Sequence, residues 1–220
     1  MMIKWIWIFV LLNTLFLFQP DVTSLEKSGI KTIIIDPGHG GNDTGGVGKQ
    51  GLLEKDVTLD IAKRLQKVIE GRLSDVRVLL TRDGDYFLSI DERVGFANHR
   101  KGDLFISIHT NASFSQDASG FEVYYFSPLE SDLDSIQQEF IDEGIKLAGL
   151  IQKKVVNRLK IRDMGIKGCY FLVLKDVMMP AVVIETAFIT NPSEEDNLKS
   201  EGFKTDLVSA ICDAIQEDIR

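Results

Sequence analysis

The sequence predicts an α/β fold: a single mixed, largely parallel sheet of about six strands, flanked by helices on both faces. Two observations carry that prediction. The runs 32–35, 104–108 and 181–184 are almost continuously apolar and rich in β-branched residues, which is the pattern of strands covered on both faces. Segments of helical period lie between them, and strands alternating with helices build layered α/β sheets.

The first strand, 32–35, reads Thr-Ile-Ile-Ile and stops at Asp36-Pro37-Gly38, where proline and glycine end extended structure. Val57, Ile61, Leu65 and Val68 recur at helical spacing, so a helix follows with Glu54 at its opening. Residues 76–80 predict a second strand, and 93–100 a short helix leading into strand 104–108. A further strand is predicted over 121–126. Ile136, Phe140, Leu147, Ile151 and Val155 then mark a long helix over 136–159. Residues 169–174, Cys-Tyr-Phe-Leu-Val-Leu, read as another strand before 181–184, and 203–219 as the terminal helix.

Residues 1–24 stand apart from this domain, which is assigned 25–220. Lys4 precedes an apolar run that starts at Trp5 and continues, broken by Asn13 and Thr14, to Phe18. That is the charged start and apolar core of an export signal, and the small residues at 22–24 put cleavage after Ser24. A retained anchor is the alternative, because the run is only slightly shorter than the ~17–25 residues that span a bilayer. Export places the protein in the periplasm, the cell wall or the medium. The formal net charge is −8, and losing Lys4 with Asp21 leaves it unchanged. Such acidity argues against nucleic-acid binding through phosphates and against steering to an anionic wall or membrane. The chain shows no repeat or linker and is expected to be a monomer. Cys169 and Cys212 are expected to be buried thiols; no CxxC or CxxH spacing exists for a zinc-finger type site.

Each of the three buried runs leads into a residue that can do chemistry. Ile35 leads to His39, Ile108 to His109 and Ile184 to Glu185. Ligands of open α/β sheets bind beyond the carboxyl ends of the strands, so these groups converge on one edge. Glu54, opening the first helix, belongs to the same rim. Two histidines, a carboxylate and an open position form a catalytic zinc arrangement, in which the metal acidifies a water. On this reading His39, Glu54 and His109 are the zinc ligands. Glu185 is the base that takes the water's proton and returns it to a leaving amine. Taken singly each residue has a plainer role: a turn histidine, a helix N-terminal charge, the first exposed residue of a loop. The remaining histidine, His99, ends a helix beside Arg100-Lys101 and takes no metal role.

Gly46-Val47-Gly48-Lys49-Gln50-Gly51 matches the G-x-G-x-x-G string. A dinucleotide fingerprint begins directly after its strand, but here residues 36–45 intervene, and no Walker-type string surrounds Lys49. A flexible active-site loop is the expectation.

The segments Ile35-Asp36-Pro37-Gly38-His39-Gly40-Gly41, Glu54-Lys55-Asp56, Ser107-Ile108-His109-Thr110-Asn111-Ala112 and 183–191 together resemble the zinc-dependent N-acetylmuramoyl-L-alanine amidases. Those bacterial enzymes cleave the amide between muramic acid and the stem peptide of peptidoglycan. The resemblance implies one zinc ion held by His39, Glu54 and His109, Glu185 as the catalytic glutamate, and peptidoglycan or a muropeptide as substrate. A zinc peptidase or deacylase acting on another amide is the alternative. Asp36 and Asp56 either orient a ligand histidine or cap a turn, and the turn is expected. Some family members carry a long helical insertion that blocks the site; the short stretch 127–135 leaves no room for one here. Wall-binding repeats are absent from this sequence, so the substrate is found by the catalytic domain or through an activating or targeting partner.

Overall fold

The computed structural model describes Gly29 and residues 31–129 and 134–219; the expected leader, 1–24, lies outside them. The elements run β1 (Thr32–Pro37), α1 (Glu54–Arg72), β2 (Arg77–Leu80), α2 (Ile90–His99), β3 (Leu104–Asn111), β4 (Phe121–Phe126), α3 (Ser135–Leu159), β5 (Asp163–Cys169), α4 (Leu172–Lys175), β6 (Ala181–Phe188), α5 (Pro192–Lys199) and α6 (Glu201–Asp218). They form one six-stranded sheet of order β2-β1-β3-β6-β4-β5. The β4–β6 pair is antiparallel, and the other neighbours are parallel.

The three β-branched runs are the central strands, and alternate residues serve opposite faces. Ile33, Ile35, Leu104, Ile106, Ile108, Val182 and Ile184 pack under α1, α3 and α6 in the larger core. Ile34, Phe105, Ala181 and Val183 face the other way, against Val94 and Ala97 of α2 and Leu174 of α4. Fully burying one such aliphatic side chain contributes about 1.5–3 kcal/mol, so the larger core dominates stability. Among the described residues the second layer is built from α2 and the single turn of α4, and a cavity opens beside them at the carboxyl ends of the central strands.

Local signals set the helix ends. Ser89 and Glu92 form a capping box on α2, and Asp134 with Gln137 does the same for α3. Asn191 caps α5 with Pro192 directly inside it, and Ser200 closes that helix and caps α6.

Two departures from the sequence reading stand out. Of residues 169–174 only Cys169 is strand, as the last residue of β5 (Asp163–Cys169), and Leu172 begins α4. As an edge strand β5 needs no apolar alternation, and its sequence DMGIKGC is half-exposed. Leu174 is apolar because it plugs the second core. The helix α5 was not predicted at all. Both cysteines are free thiols, Cys212 buried but Cys169 only partly so. Among the described residues no helix is long and apolar enough to cross a membrane.

Candidate active site

Parallel pairing brings the carboxyl ends of β1, β3 and β6 to one edge. Pro37 registers with Ile108, and His109 with Glu185. Across the antiparallel pair Glu185 faces Glu122 of β4. His109, Glu185 and Glu122 therefore form one row across three strands.

His39 reaches this row from the turn after β1. The Gly38 N–H donates to Ile108 O at 2.9 Å, and His39 then adopts a left-handed φ of 61°, uncommon outside glycine. Two buried arginines hold the turn. Arg82 donates to Pro37 O (3.0 Å) and Gly38 O (2.7 Å), while Arg93 donates to Pro37 O and His39 O, both at 2.7 Å. Asp36 compensates the second charge, pairing with Arg93 at 2.7 Å and accepting from Thr81 Oγ1 and Ser107 Oγ. Asp36 is thus a buried anchor at the end of β1, not the turn cap expected of it, and its hydrogen bonds go to Thr81, Arg93 and Ser107. Asp56 is exposed in the first turn of α1.

Glu54 is buried at the start of α1. Its Oε1 accepts from Thr110 N at 2.9 Å, and its Oε2 from Gly46 N at 2.7 Å. The same Oε1 lies 3.1 Å from His39 Nε2 and 3.1 Å from His109 Nδ1. Ligand atoms of His39, Glu54 and His109 all lie within 4.8 Å of one another, a set that can hold a metal ion. The far nitrogen of His39, Nδ1, sits 2.9 Å from Asp43 Oδ2. Burial pulls the His39 pKa down, but Glu54 and Asp43 outweigh it and the net shift is upward. Burial would raise Glu54, yet the two imidazoles hold it far below the carboxylate range.

Glu185 behaves in the opposite way. Its Oε2 is buried without any hydrogen-bond partner. Burial, then the charges of Glu54 and Glu122, push its pKa well above the ordinary value. Glu122 beside it is fully satisfied: Asn111, Tyr124 and Lys167 all donate to it. Burial raises Glu122 too, but those donors win and its pKa falls. Of two glutamates facing each other, one is held as an anion and the other is left unpaired beside the histidines.

The family of N-acetylmuramoyl-L-alanine amidases matches residues 33–217. The chain belongs to that family. Amidase LytC of Bacillus subtilis (strain 168) is 43% identical over 183 residues, which are 83% of this chain and 34% of that protein; the chain thus spans about a third of that relative. An N-acetylmuramoyl-L-alanine amidase from Clostridium difficile 630 is 34% identical, with a TM-score of 0.77 over 86% of this chain and 97% of that one. The CwlD amidase from Clostridioides difficile, solved in complex with the GerS lipoprotein, is 28% identical, with a TM-score of 0.75 over 86% and 98% of the two chains.

Three features of this amidase's site escaped the sequence reading. Asp43, four residues beyond His39, was passed over because only the backbone turn brings it back to the ring. The burial of Arg82 and Arg93 carries no sequence signal, because arginine is ordinarily a surface residue. The third is how tightly the glycines fit: a Cβ at Gly45 would lie 2.6 Å from both Glu54 Oε2 and His39 Cδ2. A cleft of ≈ 530 Å³ is lined by His39, His109, Asp43 and Glu185. Phe87, Leu88 and Ile90 form one wall, and Phe171, Leu172 and Val173 the other.

Proposed function

We propose that this chain is an exported zinc amidase that cleaves the bond between N-acetylmuramic acid and L-alanine in peptidoglycan. The observation that carries this reading is the convergence of His39, Glu54 and His109 within 4.8 Å, next to a glutamate whose Oε2 has no partner. The donor set fits zinc: two imidazole nitrogens and one carboxylate oxygen, with room for a fourth group. Asp43 is the outer partner that a metal-bound histidine ordinarily carries, since an Nδ1–H given to Asp43 leaves the Nε2 lone pair facing Glu54. When bound, zinc supplies Lewis-acid polarisation of the amide carbonyl and makes a water acidic near neutrality.

The chain's own residues do the rest. Glu185 accepts the proton of the attacking water at its unpartnered oxygen and passes it to the leaving nitrogen. The N–H groups of Thr110 and Gly46 fix both oxygens of Glu54. Glu122 stays ionised through Lys167, Asn111 and Tyr124, so Glu185 is the group in the row left to carry the proton. Phe87, Leu88 and Leu172 wall the cleft with apolar surface, limiting water around the reacting bond.

Export rests on residues 1–24, a leader read from sequence, with 25–220 as the catalytic domain. The complex of CwlD with a lipoprotein supports a role for a separate protein partner. The test is Glu185→Gln. Zinc content should stay at one per chain while muropeptide hydrolysis falls about 10²–10⁴-fold, the usual worth of a general base. Zinc lost in parallel would make Glu185 a ligand, and unchanged activity would remove it from the mechanism.

A further inference from the structure

The glycine string 46–51 is held more firmly than a loose loop would be. Residues 46–53 close on themselves, with Gly48 N donating to Leu52 O at 2.8 Å and Glu54 N to Gly46 O at 2.9 Å. The tip is gripped from α5, about 145 residues away in sequence. Glu195, with no exposed surface, accepts from Gln50 N at 2.9 Å and from Leu52 N at 3.2 Å. Asp196 and Lys199 hold the Gln50 side chain at 2.7 and 2.9 Å. Gly48 lies directly against this carboxylate: a Cβ there would stand 2.9 Å from Glu195 Oε2 and closer still to Oε1.

We propose that Glu195 is a positioning residue for the metal site, acting through this loop on Glu54. A buried carboxylate is costly unless hydrogen bonds compensate it, and here the compensating donors are the loop's own backbone N–H groups together with Lys199 Nζ at 3.3 Å. With the loop fixed, Gly46 N reaches Glu54 Oε2 at 2.7 Å and holds that oxygen in place, while Oε1 lies 3.1 Å from a ring nitrogen of each histidine. Freed from Glu195, the loop gives up that restraint and Glu54 loses its single orientation. Outer partners of metal ligands typically account for 10–100-fold in metal affinity.

This inference rests on the zinc reading, and zinc itself is the probe. Affinity is measured by competition with a chromophoric chelator, at a temperature where circular dichroism shows each protein folded. Glu195→Gln replaces one acceptor with an amide donor facing Gln50 N, and affinity should fall about tenfold or more. Gly48→Ala should weaken zinc comparably by displacing the carboxylate from the other side, and it carries the test if Glu195→Gln does not fold. In a Glu195→Ala background, Gly48→Ala should add nothing further. Wild-type affinity in folded Glu195→Gln or folded Gly48→Ala, with only the melting temperature lowered, would reduce Glu195 to a structural role and overturn the proposal. If the wild-type protein binds no zinc, it is the metal reading that fails.

Discussion

Gly38→Ala tests the site through one added carbon. A Cβ at position 38 would stand 2.2 Å from His109 Cε1 and 2.5 Å from Nε2, whereas ordinary contact begins at 3.4 Å. The ring must therefore retreat by the larger difference, about 1.2 Å. Zinc–nitrogen bonds are about 2.0–2.1 Å long and tolerate about ±0.2 Å, so the displacement exceeds that tolerance roughly sixfold. Hydrolysis should fall about 100-fold, as it does for misplacements of about 1 Å, and zinc should be lost on dialysis. Stability should change by only about 1–3 kcal/mol, the cost of overpacking. Gly71→Ala is the control, since a Cβ there meets nothing within 4 Å and favours the helix by about 0.5–1 kcal/mol. The assay pairs metal analysis with clearing of a peptidoglycan suspension. Full zinc and full activity in Gly38→Ala would show that His109 is not a ligand in the position described.

Three further outcomes follow from other parts of the site. Asp43→Ala frees Nδ1 of His39 and should lower zinc affinity about 10–100-fold; an unchanged chelator competition curve would remove Asp43 from the site. Arg93→Ala leaves Asp36, which is 1% exposed, as an unpaired buried charge. The expected cost is about 3–5 kcal/mol, read as a lower urea midpoint, and a loss under about 1 kcal/mol would show that the pair is dispensable. The third outcome concerns pH in the metal-free protein. Because the folded state raises the Glu185 pKa, it holds more protons than the unfolded chain between the ordinary value of 4.5 and the folded value. Its contribution to stability is present below 4.5 and is lost as pH rises through the folded value. Melts of chelated samples should show wild type losing ground to Glu185→Gln as pH rises, and parallel curves would contradict that assignment.

The central strands were legible because burial on both faces leaves a run of Ile and Val that nothing else explains. The convergence of His39, His109 and Glu185 was legible for a related reason: a polar group after such a run sits at the edge of a sheet, and Glu54 joins them by opening the helix that follows β1. What sequence periodicity missed is what polar contacts decide. The helix α5 is short and acidic, and two of its buried residues, Glu194 and Glu195, are of a type ordinarily found on surfaces. Asp36 was expected at a turn, but its value lies in partners 45, 57 and 71 residues away. The 46–51 loop was expected to be flexible, and only the distant Glu195 reveals how it is held. At 169–174 apolar content alone suggested a strand, because a single helical turn is too short to display its period.

Mass analysis of peptidoglycan digested by the zinc-loaded protein, with a chelated sample beside it, tests the central claim most directly. The expected products are stem peptides with a free L-alanine amino terminus and intact glycan strands, formed only when zinc is present. Cleavage at any other bond, or the same products after complete removal of the metal, would contradict it.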